Sequence, residues 1–243
     1  MPALPKVVEL ETCDFPIVPG RVGSYRVLEL PANLRTIFEQ DGARVVRINS
    51  LDVARTIPDY GGKGSSEHFS LLPHQDHFDA STDRRRFLML TKLVGGARGS
   101  STLIMTRDVA SAMLPIVQQW ITDDARRVCV GAERCYDRRF LISKTQYDCC
   151  LDKKGGYEQL VAKVLEDENA NRQRELALRL GLLGYLIRGP CADQVMQEIV
   201  RELAGQFVEE RWERKGMVII DNRNVFHARF GANNPPLKRN YCV

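Results

Sequence analysis

Several common supports are missing from this chain. Its seven cysteines are an odd number, Cys149 and Cys150 are adjacent, and no Cys-x-x-Cys spacing occurs. That argues against a disulfide framework and against a zinc ribbon. Nothing approaches 18 uninterrupted apolar residues, which excludes a membrane-spanning helix. The opening Met1-Pro2-Ala3-Leu4-Pro5-Lys6 has no apolar signal core, so the cytoplasm is the expected compartment. Neither charge dominates: 35 Lys and Arg against 31 Asp and Glu leave a formal +4. That is too diffuse to argue for nucleic acid, though it leans towards an anionic small molecule. No repeat, low-complexity tract or linker interrupts the sequence, which points to one domain over residues 1–243. Oligomeric state leaves no trace.

What is present suits a buried core. Hydrophobic residues make up 44% and charged residues 27%, ordinary for a soluble globular protein. A chain of this length buries about 70–75% of its unfolded surface. Strands are expected over 25–30, 43–48, 87–94, 100–105, 207–208 and 237–243, and weaker ones over 128–130 and 140–145. A short helix is expected over 31–40, opened by Pro31 and closed by the turn Asp41-Gly42. Another is expected over 108–120, with Asp108 as its cap and Pro115 as a kink. A helical insert is expected at about 155–205, because Tyr157, Leu160, Val161, Val164 and Leu165, and later Val195, Met196, Ile199, Val200 and Leu203, fall at helical spacing. The glycine-rich passage 52–69 is either a lid over a site or a plain surface loop.

The chemistry sits in two places. Residues 215–229 contain the apolar run Met217-Val218-Ile219-Ile220, the turn-forming pair Asp221-Asn222, then Val225-Phe226-His227-Ala228-Arg229. Far upstream stands Pro73-His74-Gln75-Asp76. On a strand, His74 and Asp76 leave the same face, within reach of one ion. Two histidines and a carboxylate with open positions suit non-haem Fe(II) in oxygenases. The pair is weakly specific alone, and His77-Phe78-Asp79 repeats it three residues on.

Order adds specificity. Pro73-His74-Gln75-Asp76, then Gly95-Gly96 leading to Ser101-Thr102, then 216–227, then Arg239 follow one another at family-like separations. In this the chain resembles the Fe(II)/2-oxoglutarate-dependent oxygenases of the taurine dioxygenase and clavaminate synthase-like superfamily, over about residues 40–243. The resemblance implies a mainly β fold with flanking α: a double-stranded β-helix of jelly-roll, cupin-like type. It implies His74, Asp76 and His227 as Fe(II) ligands and catalytic centre, with 2-oxoglutarate and O2 as co-substrates. Arg239 and Thr102 are implied to bind the far carboxylate of 2-oxoglutarate, Arg239 through paired hydrogen bonds.

Candidate substrate residues are Arg229, His77, Phe78, Ser70 and Arg86. Arg229 alternates with His227 onto one strand face, where it binds the co-substrate, binds a substrate carboxylate or braces Asp221. His77 lines the substrate pocket or fills a polar gap. Arg86 ends the run Asp83-Arg84-Arg85-Arg86, otherwise a solvated face. The expected activity is oxidation, by default hydroxylation, of a small, amino-acid-like or carboxylate-bearing molecule, releasing succinate and CO2. Desaturation, cyclisation and demethylation use the same centre and are not distinguished. A halogenase is disfavoured, because Asp76 fills the position that such enzymes leave to chloride. The other readings are a cupin-type metal-dependent isomerase or lyase without oxygen chemistry, and a non-catalytic jelly-roll binding protein.

Overall fold

The apolar run after Gly216 becomes the strand around which the larger of two sheets is built. The computed structural model describes residues 3–11, 18–22, 25–49, 69–76, 86–92, 100–122, 176–177, 180–181, 183–184, 187, 190–212, 216–231 and 237–243. In chain order its elements are β1 (Val7–Leu10), β2 (Val18–Val22), β3 (Tyr25–Glu29), α1 (Ala32–Glu39), β4 (Val45–Ile48), β5 (Leu71–His74), β6 (Phe87–Lys92), β7 (Ser101–Met105), α2 (Arg107–Thr122), α3 (Pro190–Glu202), β8 (Val208–Arg211), β9 (Gly216–Asp221), β10 (Phe226–Phe230) and β11 (Leu237–Cys242). The larger sheet runs β1-β4-β9-β6-β11-β3-β2 and the smaller β5-β10-β7-β8. From β4 onward the chain passes repeatedly between them, pairing consecutively within one sheet only at β7 and β8.

Side-chain alternation sorts the core into three layers. Ile104, Trp212, Val218, Ile220, Leu88 and Leu90 fill the space between the sheets. On the outer face of the larger sheet, Ile219, Met89, Val46 and Ile48 pack on Leu34 and Phe38 of α1. On the outer face of the smaller, Leu72, Leu103, Met105, Phe226 and Ala228 pack against Val109, Met113 and Val117 of α2 and Val195, Met196 and Ile199 of α3. β9 is thus covered on both faces and flanked by β4 and β6, which is why it reads as an unbroken apolar run.

Most expected elements are present. Gly42 closes α1 at φ 68, a conformation that favours glycine. The expected cap of the second helix is displaced: α2 begins at Arg107, so Asp108 sits inside its first turn, where a carboxylate favours the positive end of the helix. Pro115 lies within α2 on an exposed position. Of the expected insert, α3 and short helical pieces at 176–177, 180–181 and 183–184 are described. The weaker strands at 128–130 and 140–145, the first part of the insert and the 52–68 passage lie outside the described residues. β1 and β2, not expected from sequence, form the two edges of the larger sheet. Pro19 and Gly20 disguise β2, and an edge is where a strand tolerates proline. Pro73 is accommodated likewise, since β5 is an edge strand.

Candidate metal centre

Two histidines far apart in sequence meet because β5 and β10 pair antiparallel with His74 opposite His227. Directly opposed residues share a sheet face. Phe226 and Ala228 turn to the helical layer, so His227 points between the sheets. The imidazole centroids lie 4.4 Å apart with the rings tilted by 50°.

Asp76 arrives differently from the expectation. β5 ends at His74, and Asp76 stands beyond it in a turn, not on a strand face. Its carboxylate nevertheless reaches both imidazoles. Oδ1 is 3.5 Å from Nε2 of His74, and Oδ2 is 3.9 Å from Nε2 of His227. What carries it there is the turn after β9. Asn222 Oδ1 accepts from the Asp76 N–H at 3.0 Å, and Asn222 Nδ2 donates to the Asp76 carbonyl at 2.9 Å. Gln75 Nε2 donates to the carbonyls of Arg223 and Val225 at 3.0 and 3.1 Å.

His74, Asp76 and His227 form a group that could hold a metal ion, with one potential ligand atom from each lying within 4.8 Å of the others. Ions bonded to N and O donors at about 2.0–2.2 Å require ligand atoms at most about 4.4 Å apart, so the group is near binding geometry. Protonation states suit the task. The Leu72 carbonyl, 2.8 Å from Nδ1 of His74, can only accept, so Nδ1 donates to it and the ring is held with Nε2 towards Asp76. Burial, reinforced by the charge of His74, pushes His227 down to about 3, leaving it neutral near pH 7. Burial opposes ionisation of Asp76, but Arg239 and the two histidines outweigh it and hold the carboxyl well below its ordinary range. Neither ring nitrogen of His227 has a hydrogen-bond partner among the described residues, though both are buried. A buried imidazole left so is costly unless something binds it. The residues present therefore fit a divalent metal.

The third side of the site comes from β11. Leu237 and Tyr241 belong to the layer between the sheets, so Arg239 shares their inward face while Lys238 alternates to the other. Arg239 Nη1 lies 3.6 Å from Asp76 Oδ2, and the Tyr241 hydroxyl donates to the same oxygen at 3.2 Å. The Asp76 charge raises Arg239 above its ordinary range, and burial with that same charge raises Tyr241.

Other expected site residues are placed as follows. Thr102 is buried opposite Arg229 in the β7–β10 pair, and its Oγ1 accepts from the Trp212 indole N–H at 2.9 Å. Its own hydroxyl proton is left to donate. Arg229 donates to the Phe69 carbonyl from Nε at 3.0 Å and Nη2 at 2.6 Å. Bracing of Asp221 falls instead to Arg44, Arg86 and Asn224, which reach its Oδ2 at 3.3, 3.4 and 2.8 Å. Arg86 also donates to Glu39 at 2.7 Å and lies over the Phe87 ring at 4.8 Å. Ser70 Oγ accepts from the Gly231 N–H, and the Ser70 N–H donates to Asp193 of α3. His77 and Phe78 lie outside the described residues.

Asn222, Gln75, Tyr241 and Trp212 were not singled out as site residues from sequence. Asn222 stands in a turn, yet its side chain reaches a residue 146 positions away.

The sequence matches no protein-family model and no curated protein. Among solved structures, the fold is similar to a candidate alpha-ketoglutarate dependent 2,4-D dioxygenase from Burkholderia xenovorans, with 13% identity, TM-score 0.39 and 95% of each chain covered. It is also similar to PvcB, an Fe, alpha-ketoglutarate dependent oxygenase from an isonitrile synthetic pathway, with 14% identity, TM-score 0.35, and 97% of this chain and 94% of that one covered. A third is the non-heme iron oxygenase OrfP in complex with Fe, succinate and (3S)-hydroxy-L-Arg, with 14% identity, TM-score 0.35 and 88% and 81% covered.

Proposed function

We propose that this chain is an Fe(II)- and 2-oxoglutarate-dependent oxygenase acting on a small molecule, built as a single double-stranded β-helix domain. The observation that carries the reading is the convergence of His74, Asp76 and His227, with a neutral, buried His227 whose ring nitrogens lack hydrogen-bond partners among the described residues. The repeated passage of β4 to β11 between two sheets supports the double-stranded β-helix.

In this reading His74 and His227 give one lone pair each and Asp76 one carboxylate oxygen. Three protein donors would leave room on a divalent ion for a co-substrate. With 2-oxoglutarate and O2, Fe(II) supplies oxidation of a C–H bond, the co-substrate being converted to succinate and CO2. Arg239, facing inward from β11, takes the far carboxylate of 2-oxoglutarate, and Thr102 donates its free hydroxyl proton to the same group. The buried walls of Ile104, Trp212, Leu90 and Val218 exclude water from the interior. Arg229 stands near the β5 end of the smaller sheet and is the candidate cation for a carboxylate-bearing substrate. Hydroxylation is the default outcome.

The test is chemical. Purified protein with Fe(II), ascorbate and 2-oxoglutarate under air should form succinate, and candidate carboxylate or amino-acid substrates should stimulate its formation. Absence of succinate under every condition, with metal bound, would leave a metal-binding protein without oxygen chemistry.

A further inference from the structure

We infer that Asn222 is the positioning residue of this centre: by holding both backbone groups of Asp76 it aims that carboxylate at His74 and His227. The inference rests on the metal-centre reading above and goes beyond the three ligands.

The ladder alone would not place Asp76. β5 contributes its last paired residue at His74, opposite His227, and β10 begins one residue earlier, at Phe226. Among the described residues the ladder pairs neither residue 75 nor residue 76. One buried side-chain amide holds Asp76 instead, accepting from the Asp76 N–H at 3.0 Å and donating to the Asp76 carbonyl at 2.9 Å. A primary amide can do both at once, because its donor and acceptor lie in one plane. The partners also fix its orientation, since the N–H can only donate and the carbonyl only accept. Gln75 adds two bonds to the same turn through Nε2.

The turn is itself held from behind. The Asn222 N–H donates to the Arg86 carbonyl at 2.9 Å, and the N–H groups of Asn224 and Val225 donate to the Asp221 carbonyl at 2.9 and 3.1 Å. The fully buried Asp221 side chain gathers Arg44, Arg86 and Asn224. Arg86, which sequence offered as a substrate residue or part of a solvated face, thus joins Arg44 in anchoring the turn that carries Asn222.

Such a hold matters because Asp76 is pulled two ways. Its Oδ2 lies 3.6 Å from Arg239 and accepts from Tyr241, both on β11 in the opposite sheet. Freed from Asn222, the carboxylate can turn to that pair and leave the two imidazoles as the only donors of the three. Partners of this kind, one bond removed from a metal, typically change its affinity 10–100-fold when lost.

The experiment titrates Co(II) into the full chain, following its visible absorption, for wild type, Asp76→Ala, Asn222→Ala and Asn222→Asp. Thermal unfolding in EDTA reports fold integrity separately. Asn222→Ala is expected to bind Co(II) about 10–100-fold more weakly, with a spectrum shifted towards that of Asp76→Ala. Asn222→Asp, nearly isosteric, keeps the acceptor but loses the donor, and should weaken binding if the alanine variant does not fold. Wild-type affinity and spectrum in a folded Asn222 variant, with only its unfolding temperature lowered, would reduce the residue to a structural one and overturn the inference. If wild type and Asp76→Ala bind Co(II) alike, the metal-centre reading itself falls, and the inference with it.

Discussion

At the scale of single residues the site mixes groups that could hold a metal with groups that hold those groups. His74→Ala, Asp76→Ala and His227→Ala should each abolish 2-oxoglutarate turnover and weaken Fe(II) binding, because two ligands hold a labile ion poorly. Turnover assays with metal analysis on each variant decide it, and full activity in any one removes that residue from the centre. Arg239 and Lys238 differ by one position and by a whole face. Removing one partner of a buried ion pair costs about 3–5 kcal/mol. The Arg239 side chain is 39% exposed, which discounts the figure to about 1.5–3 kcal/mol. Arg239→Ala should therefore raise the apparent KM for 2-oxoglutarate about tenfold to a hundredfold, and Lys238→Ala hardly at all. The reverse order would move the carboxylate site to Lys238. Thr102 has a second duty that sequence did not reveal, as acceptor for Trp212. Thr102→Val orphans a buried indole N–H and should cost about 1–3 kcal/mol in urea unfolding. Adding Trp212→Phe should recover part of that loss in a double-mutant cycle, and simple additivity would dismiss the bond.

At the scale of elements, β9 joins the layers. Ile220 is fully buried between the sheets, Ile219 is fully buried on the α1 side, and Asp221 and Asn222 follow at the strand's end. Ile220→Ala should destabilise by about 2–5 kcal/mol. Glu29→Ala, at an exposed position of β3, should stay within about 0.5 kcal/mol. Urea midpoints of the two variants test the contrast. Elements with strong internal patterns were legible. The apolar runs of β9, β6 and β7 announce themselves as strands, and α1 by Pro31 at its opening and the Asp41-Gly42 stop. β1 and β2 do not. They are short edges whose ladder partners lie elsewhere in the chain, and β2 carries Pro19 and Gly20. Asp76 was legible as a candidate ligand but not as a turn residue, because strand alternation and a turn can bring the same pair together.

At the scale of the molecule, a metal held by residues from β5, the turn beyond it and β10 would tie separate segments of one sheet together. An ion that binds only the folded chain stabilises it by about 2.7 kcal/mol at a hundred times its Kd. For a chain of this size that corresponds to about 5–11 °C in Tm. Divalent metal should give such a shift, EDTA should reverse it, and Asp76→Ala should lack it. An equal shift in that variant would place the stabilising ion elsewhere. What the sequence by itself determined is the donor set and the apolar periods, since residue type fixes which atoms can bind a metal, and which faces must leave water. The tertiary structure alone decided which groups meet. The register opposing His74 to His227, the amide of Asn222 closing on Asp76, and the choice of Arg44 and Arg86 for Asp221 each join residues far apart in the chain. Such pairings leave no local pattern, because a hydrogen bond depends on where two groups end up and not on their neighbours in sequence.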